Sequence, residues 1–358
     1  MKSIMRSFIA ILVVSIVLLI MINRLNAAQG FSGDNTLTVY NWGDYIDEEL
    51  ISQFEEETGI TIVYETFDSN EAMMTKIQQG GTTYDVAVPS EYMVQKMVEE
   101  DLLIELDHSK LSNLSNLDER FMNLPFDPNN QYSVPYFWGT VGIVFNTTLL
   151  PEGMKLTGWH DLWDPSLENQ ILLIDGAREI IGMGLNSLGY SLNDTNPDHL
   201  YQALERLEGL TPNVRAIVGD ENKMLMANNE ATIAVGWSGD AADIMGENEA
   251  IDYVVPEEGS NLWFDNFVIP KTAQNIDGAH EFINFMLDAE VAAQNTEYVS
   301  YSTPNKEALQ FMPKEMVEDE RFYPNPELTD RLEVYENLGQ SNLAFYNELF
   351  LQFKMYRK

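Results

Sequence analysis

In the run Ser260-Asn261-Leu262-Trp263-Phe264-Asp265-Asn266-Phe267-Val268-Ile269-Pro270, one carboxylate interrupts a series of aromatic and β-branched residues. Gly259 and Pro270 fence the run, which reads as a buried strand. Alternation along a strand puts Trp263 and Asp265 on one face and Phe264 on the other. A buried carboxylate is costly unless a cation or several donors meet it. An indole beside a carboxylate suits an alkylammonium, offering a ring face for cation–π contact and an anion to pair with. The plainer alternative is a core tryptophan and an aspartate satisfied by backbone amides. Glu179 is the second candidate anion. It follows Gly176-Ala177-Arg178 in the first turn of an expected helix, where the dipole favours the ionised form. Helix stabilisation alone would account for it; an ammonium at about 4 Å would gain about 4 kcal/mol at an effective dielectric near 20, before desolvation.

These groups need elements to hold them, and the chain supplies strands and helices in alternation. A strand over 37–42 ends at Trp42, followed by the loop Gly43-Asp44-Tyr45 and a helix capped by Asp47 and closed by Gly59. A strand over 60–66, a helix over 72–79 and a strand over 84–90 follow, the last running into a loop with Tyr92. Parallel β-α units place ligands at the carboxyl ends of their strands. Trp42, Tyr45, Ser90 and Tyr92 fall at such ends. The stretch 133–146 reads as one long strand that crosses to a second lobe, with Gly139 and Gly142 permitting a bend. A second β-α series follows: a strand over 172–175, the helix bearing Glu179, a helix faced by Leu200, Ala203, Leu204 and Leu207, and a strand over 231–237 ending at Trp237. The Trp263 strand reads as the crossing back. A helix over 278–287, a turn-rich segment from Tyr301 to Asn305 and helical patterns near 327–338 and 341–355 complete the chain. Two crossings imply a cleft between lobes, a preferred place for a ligand.

Composition bounds the function. The chain has 358 residues, with 57 acidic and 20 basic side chains and a net charge of −37. Such a field repels nucleic acid and anionic membranes and attracts cations. There are no cysteines, so neither disulfides nor a lipid-attachment cysteine is available. The four histidines, His108, His160, His199 and His280, are scattered among polar neighbours and read as solvent-facing or capping groups. No P-loop, dinucleotide fingerprint, paired-histidine metal motif or calcium loop is present, and neither cofactor nor metal is expected. Lys2 and Arg6 precede an apolar run over 8–22 broken only by Ser15, with small residues near Ala28. That pattern is an export signal or an uncleaved membrane anchor over 1–28, so the domain is expected outside the cytoplasm.

Seven ordered segments resemble one family: Tyr40-Asn41-Trp42-Gly43-Asp44-Tyr45, Val88-Pro89-Ser90-Glu91-Tyr92, Phe126-Asp127-Pro128-Asn129-Asn130, Pro135-Tyr136-Phe137-Trp138-Gly139, Asp175-Gly176-Ala177-Arg178-Glu179, Trp263-Phe264-Asp265 and Ser302-Thr303-Pro304-Asn305. Together they look like the spermidine/putrescine-binding proteins of ABC polyamine importers, over the chain from about Leu37 to its end. The resemblance implies an α/β, two-lobed periplasmic-binding-protein fold of type II that closes on a polyamine and delivers it to a membrane permease. With a linker over 29–36, lobe one is expected over 37–140 plus 266–320 and lobe two over 141–265, with 321–358 packing on both as C-terminal helices. The resemblance also implies roles. Trp42, Tyr45, Ser90 and Tyr92 line one wall, Trp237 and Trp263 stack on the methylene chain, Glu179 and Asp265 pair with ammonium groups, and Tyr301 closes the site. The family's acidic residue three positions before Glu179 is Gly176 here, and its C-terminal glutamine contact has no clear match, with Tyr335 near that place. A monomer is expected. The rival readings are a binding protein of this fold for a sugar or ferric ion, and a glycosidase using paired carboxylates.

Overall fold

The computed structural model describes residues 35–219 and 221–356. The apolar run over 8–22 and the small-residue site near Ala28 lie outside the described residues. Local punctuation operates as its chemistry dictates. Strand β1 (Thr36–Trp42) leads to helix α1 (Glu48–Thr58). The Asp47 carboxylate accepts from the Glu49 N–H, and Gly59 ends the helix at φ 73, a left-handed turn that a side chain would strain. Next come β2 (Thr61–Phe67), α2 (Asn70–Gln79), β3 (Val86–Ala87) and α3 (Glu91–Glu99). Strand β3 is shorter than the 84–90 expected: past Ala87 the chain reaches Pro89, which has no N–H to give a ladder, and Ser90 already caps α3.

The long strand expected over 133–146 is β4 (Ser133–Asn146). Beyond it lie β5 (Ile171–Ile174), α4 (Ala177–Asn186), α5 (Pro197–Glu208), β6 (Val214–Val218), α6 (Glu221–Ala227), β7 (Ile233–Trp237), α7 (Ser238–Glu247), β8 (Ile251–Val254) and β9 (Leu262–Val268). The strands join in the order β2-β1-β3-β9-β4-β7-β5-β6, with β8 also on β4. Strand β1 is parallel to β2 and β3, and β5 to β6 and β7, so each end of the sheet is a β-α wound unit. Strand β4 joins them. Its first half, Ser133 to Thr140, pairs with β9; its second half pairs with β7 on Val141–Phe145 and β8 on Ile143–Asn146.

Two details of the crossings depart from expectation. Strand β9 stays paired with the first half of β4 from Leu262 to Val268, so the chain returns before Leu262 rather than within β9. The two glycines of β4 are there for close packing. A Cβ on Gly139 would lie 2.5 Å from both Ser238 Oγ and the Trp263 ring, and one on Gly142 would lie 2.5 Å from the Tyr253 hydroxyl. Phe264 and Phe267, each 1 % exposed, point to opposite faces of β9 and join different apolar clusters. Each such burial contributes roughly 1.5–3 kcal/mol.

The C-terminal third continues with α8 (Ile276–Met286), α9 (Ala289–Val299), short helices at Lys314–Val317 and Pro326–Thr329, and α10 (Gly339–Tyr356). The helical pattern near 327–338 is not realised past Thr329. There the backbone is satisfied by distant partners. The Leu262 N–H donates to the Glu333 carbonyl, the Glu333 N–H donates to Ser260, and the Asn193 amide donates to the Val334 carbonyl. Helix α10 then buries Tyr346, Leu349, Phe350 and Phe353, packing against α4 and α5. His280 also departs from a solvent-facing role. It is 2 % exposed, with Nε2 accepting from the Asp107 N–H and Nδ1 against the Ile276 carbonyl, a structural tie between α8 and the segment at Asp107.

Candidate functional site

Asp265 lies at the centre of the assembled groups. It is 7 % exposed, and each oxygen accepts one hydroxyl: Tyr45 donates to Oδ2 at 2.7 Å and Ser90 to Oδ1 at 2.7 Å. Among the described residues no lysine or arginine pairs with it. Burial pushes its carboxyl up to about 6, and the two hydroxyls only partly oppose that rise. An anion is therefore held dry by neutral donors, a state that a cation would relieve. Strand alternation places Trp263 beside it while Phe264 enters the core with Phe121, Phe126 and Trp138. A backbone bridge between Ser90 and Asp265 locks the β3–α3 loop to β9 at this level.

Aromatic rings close over the carboxylate. Tyr45 meets Tyr301 edge-on at 5.4 Å, and Tyr301 meets Trp263 edge-on at 5.3 Å. The Tyr301 hydroxyl donates to Asp240 at 2.9 Å, and Asp240 also pairs with Lys223 at 2.8 Å. Tyr301, which follows α9, is thereby tied to α7 of the second β-α series. Gly239 makes this possible, since a Cβ there would fall 2.3 Å from the Tyr301 ring. Tyr45, Tyr301 and Trp263 thus form a continuous edge-to-edge series of rings beside the carboxylate. A small cavity bounded by Leu117, Tyr136, Met286, Asn295 and Asn305 lies elsewhere and is lined by none of the nine candidates.

A second cluster gathers around Glu179. Helix α4 begins after Gly176, which lends no side-chain cap, and a Cβ on Gly176 would lie 2.1 Å from Glu179 Oε2. The missing acidic residue at 176 is thus the space into which the Glu179 carboxylate folds, over the helix N-terminus. Burial raises its carboxyl, while its own backbone N–H, the Arg178 guanidinium and the Tyr335 hydroxyl oppose that, and Glu71 adds to the rise. Tyr335 is 4 % exposed and meets Tyr92 edge-on at 6.5 Å. The Tyr92 hydroxyl accepts from the Asn70 amide at 3.0 Å.

Seven of the nine expected residues fall into these two clusters: Tyr45, Ser90, Trp263, Asp265 and Tyr301 in one, Tyr92 and Glu179 in the other. Trp42 and Trp237 stand at the ends of β1 and β7, half-buried. Trp42 packs on Phe67 at 4.5 Å, and neither indole is hydrogen-bonded to a site carboxylate among the described residues. Sequence reasoning left Tyr335 unassigned and did not single out Asp240, Glu71 or Glu91. Tyr335 had a signal in its place near the C-terminus; Asp240 and Glu71 were ordinary acidic residues until folding set them opposite Tyr301 and Glu179. Three of the four histidines have a polar partner: His108 the Asn130 carbonyl, His160 Glu258 and His199 Asp194. Among the described residues no three His, Asp or Glu side chains are grouped to hold a metal ion.

A family model described as bacterial extracellular solute-binding protein matches residues 49–324. A spermidine/putrescine-binding periplasmic protein of Salmonella typhimurium is 38 % identical over 324 residues, covering 90 % of this chain and 92 % of the relative. Among solved structures, a substrate-binding protein of a spermidine/putrescine ABC transporter from Streptococcus pneumoniae aligns with a TM-score of 0.84 and 56 % identity, over 90 % of this chain and 100 % of that one. A Listeria monocytogenes protein provisionally assigned to spermidine/putrescine ABC transport aligns with a TM-score of 0.85 and 64 % identity, over 90 % and 100 % of the two chains.

Proposed function

The chain belongs to the bacterial extracellular solute-binding proteins, and from that premise we propose that it captures spermidine or putrescine between two lobes and delivers it to the permease of an ABC importer. The observation that carries this reading is Asp265, a buried carboxylate held by two hydroxyls, roofed by aromatic rings and lacking a protein cation among the described residues. A polyamine offers what that site lacks. Its ammonium groups pair with Asp265 and Glu179, and its methylenes lie against Trp263, Tyr45 and Tyr301, with Trp42 and Trp237 at the adjoining strand ends. An ion pair at about 4 Å is worth about 4 kcal/mol at an effective dielectric near 20, before desolvation.

The two wound ends of the sheet act as the lobes, hinged where β4 changes partners at Val141 and where the chain returns before Leu262. Tyr45, Ser90 and Tyr92 belong to one lobe and Glu179 and Trp237 to the other, so a ligand gripping both sets binds the closed state better and shifts the population towards it. Closure presents the permease with a surface the empty form lacks. The protein works outside the cytoplasm as a monomer, and no helix among the described residues is long and apolar enough to cross a membrane. Capture rather than catalysis is what the matched relatives are named for, whereas a glycosidase needs two carboxyls acting across one bond.

Calorimetric titration with spermidine, putrescine, a sugar panel and metal ions tests the reading. Sugars belong in the panel because the buried indole N–H groups of Trp42 and Trp263 lack acceptors, which a hydroxyl-bearing solute would supply. Polyamine heat with none from sugars is the expected result; sugar binding without polyamine binding overturns it.

A further inference from the structure

The edge of β9 that faces away from β4 is paired by four successive partners. Val268 pairs with Ala87 of β3, the Asn266 N–H donates to the Pro89 carbonyl, and the Leu262 N–H donates to the Glu333 carbonyl. Between them, at Phe264, the acceptor is a side chain: the N–H donates to Glu91 Oε2 at 2.9 Å. Glu91 is 0 % exposed, and its other oxygen, Oε1, has no hydrogen-bond partner. A buried carboxyl with an idle oxygen is uncommon and calls for a missing partner. Its position says which. Glu91 stands between Ser90, which holds Asp265, and Tyr92, which meets Tyr335, and it grips the one amide lying between Trp263 and Asp265.

The charged and titratable groups around it are Asp265 on β9, Arg178 on α4, Tyr92 on its own helix and Tyr335 in the C-terminal segment. Arg178 is held elsewhere. Its Nη2 donates to Asn193 at 2.7 Å, its Nη1 donates to the Glu336 carbonyl at 3.2 Å, and its guanidinium lies 4.2 Å from the centre of the Tyr335 ring, leaving Nε alone without an acceptor.

We propose that Glu91 is a further ligand-binding residue, whose idle Oε1 receives an ammonium N–H of the bound amine. This rests on the polyamine reading above. Burial pushes the Glu91 carboxyl up to about 8, so the empty protein carries it mostly protonated at pH 7. When the ammonium arrives, the carboxyl O–H bond breaks, the proton leaves to solvent, and the carboxylate keeps the electron pair and accepts the ammonium N–H. Binding is thereby coupled to proton release. Affinity rises with pH below the empty protein's value for Glu91, by about fivefold between pH 7 and pH 8 from this group alone.

The test is spermidine titration of the full chain at pH 7 in two buffers of different ionisation enthalpy, with the wild type and Glu91→Gln. Glutamine still accepts from the Phe264 N–H but cannot titrate. The wild type should release close to one proton more than the variant. Difference infrared spectra should show the wild type losing a carboxylic-acid carbonyl band on spermidine addition, a change the variant lacks. Spermidine binding with no such difference in protons, or a band that persists in the wild type if the variant fails to fold, overturns the role of Glu91. In Arg178→Gln, release that persists supports the ammonium as partner; release abolished while binding continues gives the oxygen to Arg178 and overturns it. A wild type that does not bind spermidine at all overturns the polyamine reading instead.

Discussion

Replacing Asp265 by asparagine separates what this residue does for the ligand from what it does to the empty protein. Asparagine keeps the size of the side chain and leaves the Tyr45 and Ser90 hydroxyls a partner, but it removes the charge. Removing one partner of a buried, hydrogen-bonded charge pair costs about 2–5 kcal/mol. At about 1.4 kcal/mol per tenfold, polyamine affinity should fall by about 30-fold to a few thousandfold. The empty protein should respond in the opposite sense. Burial raises the Asp265 carboxyl from 3.8 to about 6, so the folded state holds a proton that the unfolded state has lost between those values. Stability of the empty protein therefore declines as pH rises through that window, by up to about 3 kcal/mol at pH 7. Asparagine removes that decline, less what its amide loses against the two hydroxyls. Calorimetric titration with putrescine and thermal unfolding of the empty proteins from pH 4 to pH 7 read both effects. A folded Asp265→Asn variant with wild-type affinity would refute the reasoning, because a buried anion facing the ligand cannot be neutralised without consequence.

Trp263→Ala should weaken spermidine and putrescine alike, since stacking on methylenes and cation–π attraction do not count charges; calorimetry that shows only one ligand affected contradicts this. Gly176→Ala should leave thermal stability nearly unchanged, because Gly176 sits at φ −134, where alanine is at ease. Its new Cβ would nonetheless displace the Glu179 carboxylate from a place 2.1 Å away, so affinity should fall tenfold or so; wild-type affinity would remove Glu179 from the site. Small-angle scattering should show a smaller radius of gyration with saturating spermidine than without, and superimposable curves would argue against lobe closure.

Much of the architecture is written in local patterns, and for that reason it is legible without the fold. Asp47 and Gly59 mark their helix because capping and left-handed backbone are properties of single residues and their neighbours. The span of β4 follows from a long, mostly apolar stretch, and the shared face of Trp263 and Asp265 follows from the pleat. Seven ordered motifs then supplied the family, which no single one of them carries. Long-range geometry decided the rest. Nothing near Tyr45 states that its hydroxyl will meet a carboxylate 220 positions later. The stretch after Thr329 has helical composition, but Ser260, Leu262 and Asn193 satisfy its backbone from outside, and an extended chain is the result. Gly176 looked like a lost contact and proved to be the room for Glu179. Glu91, quoted within a motif yet assigned no part, takes a ladder position on β9 that exists only once β3, α3 and the C-terminal segment have converged on that strand. Propensity and capping act within a few residues of the chain and can be read from them. Burial and hydrogen-bond partnership depend on which surfaces packing removes from water, and only the assembled fold determines that.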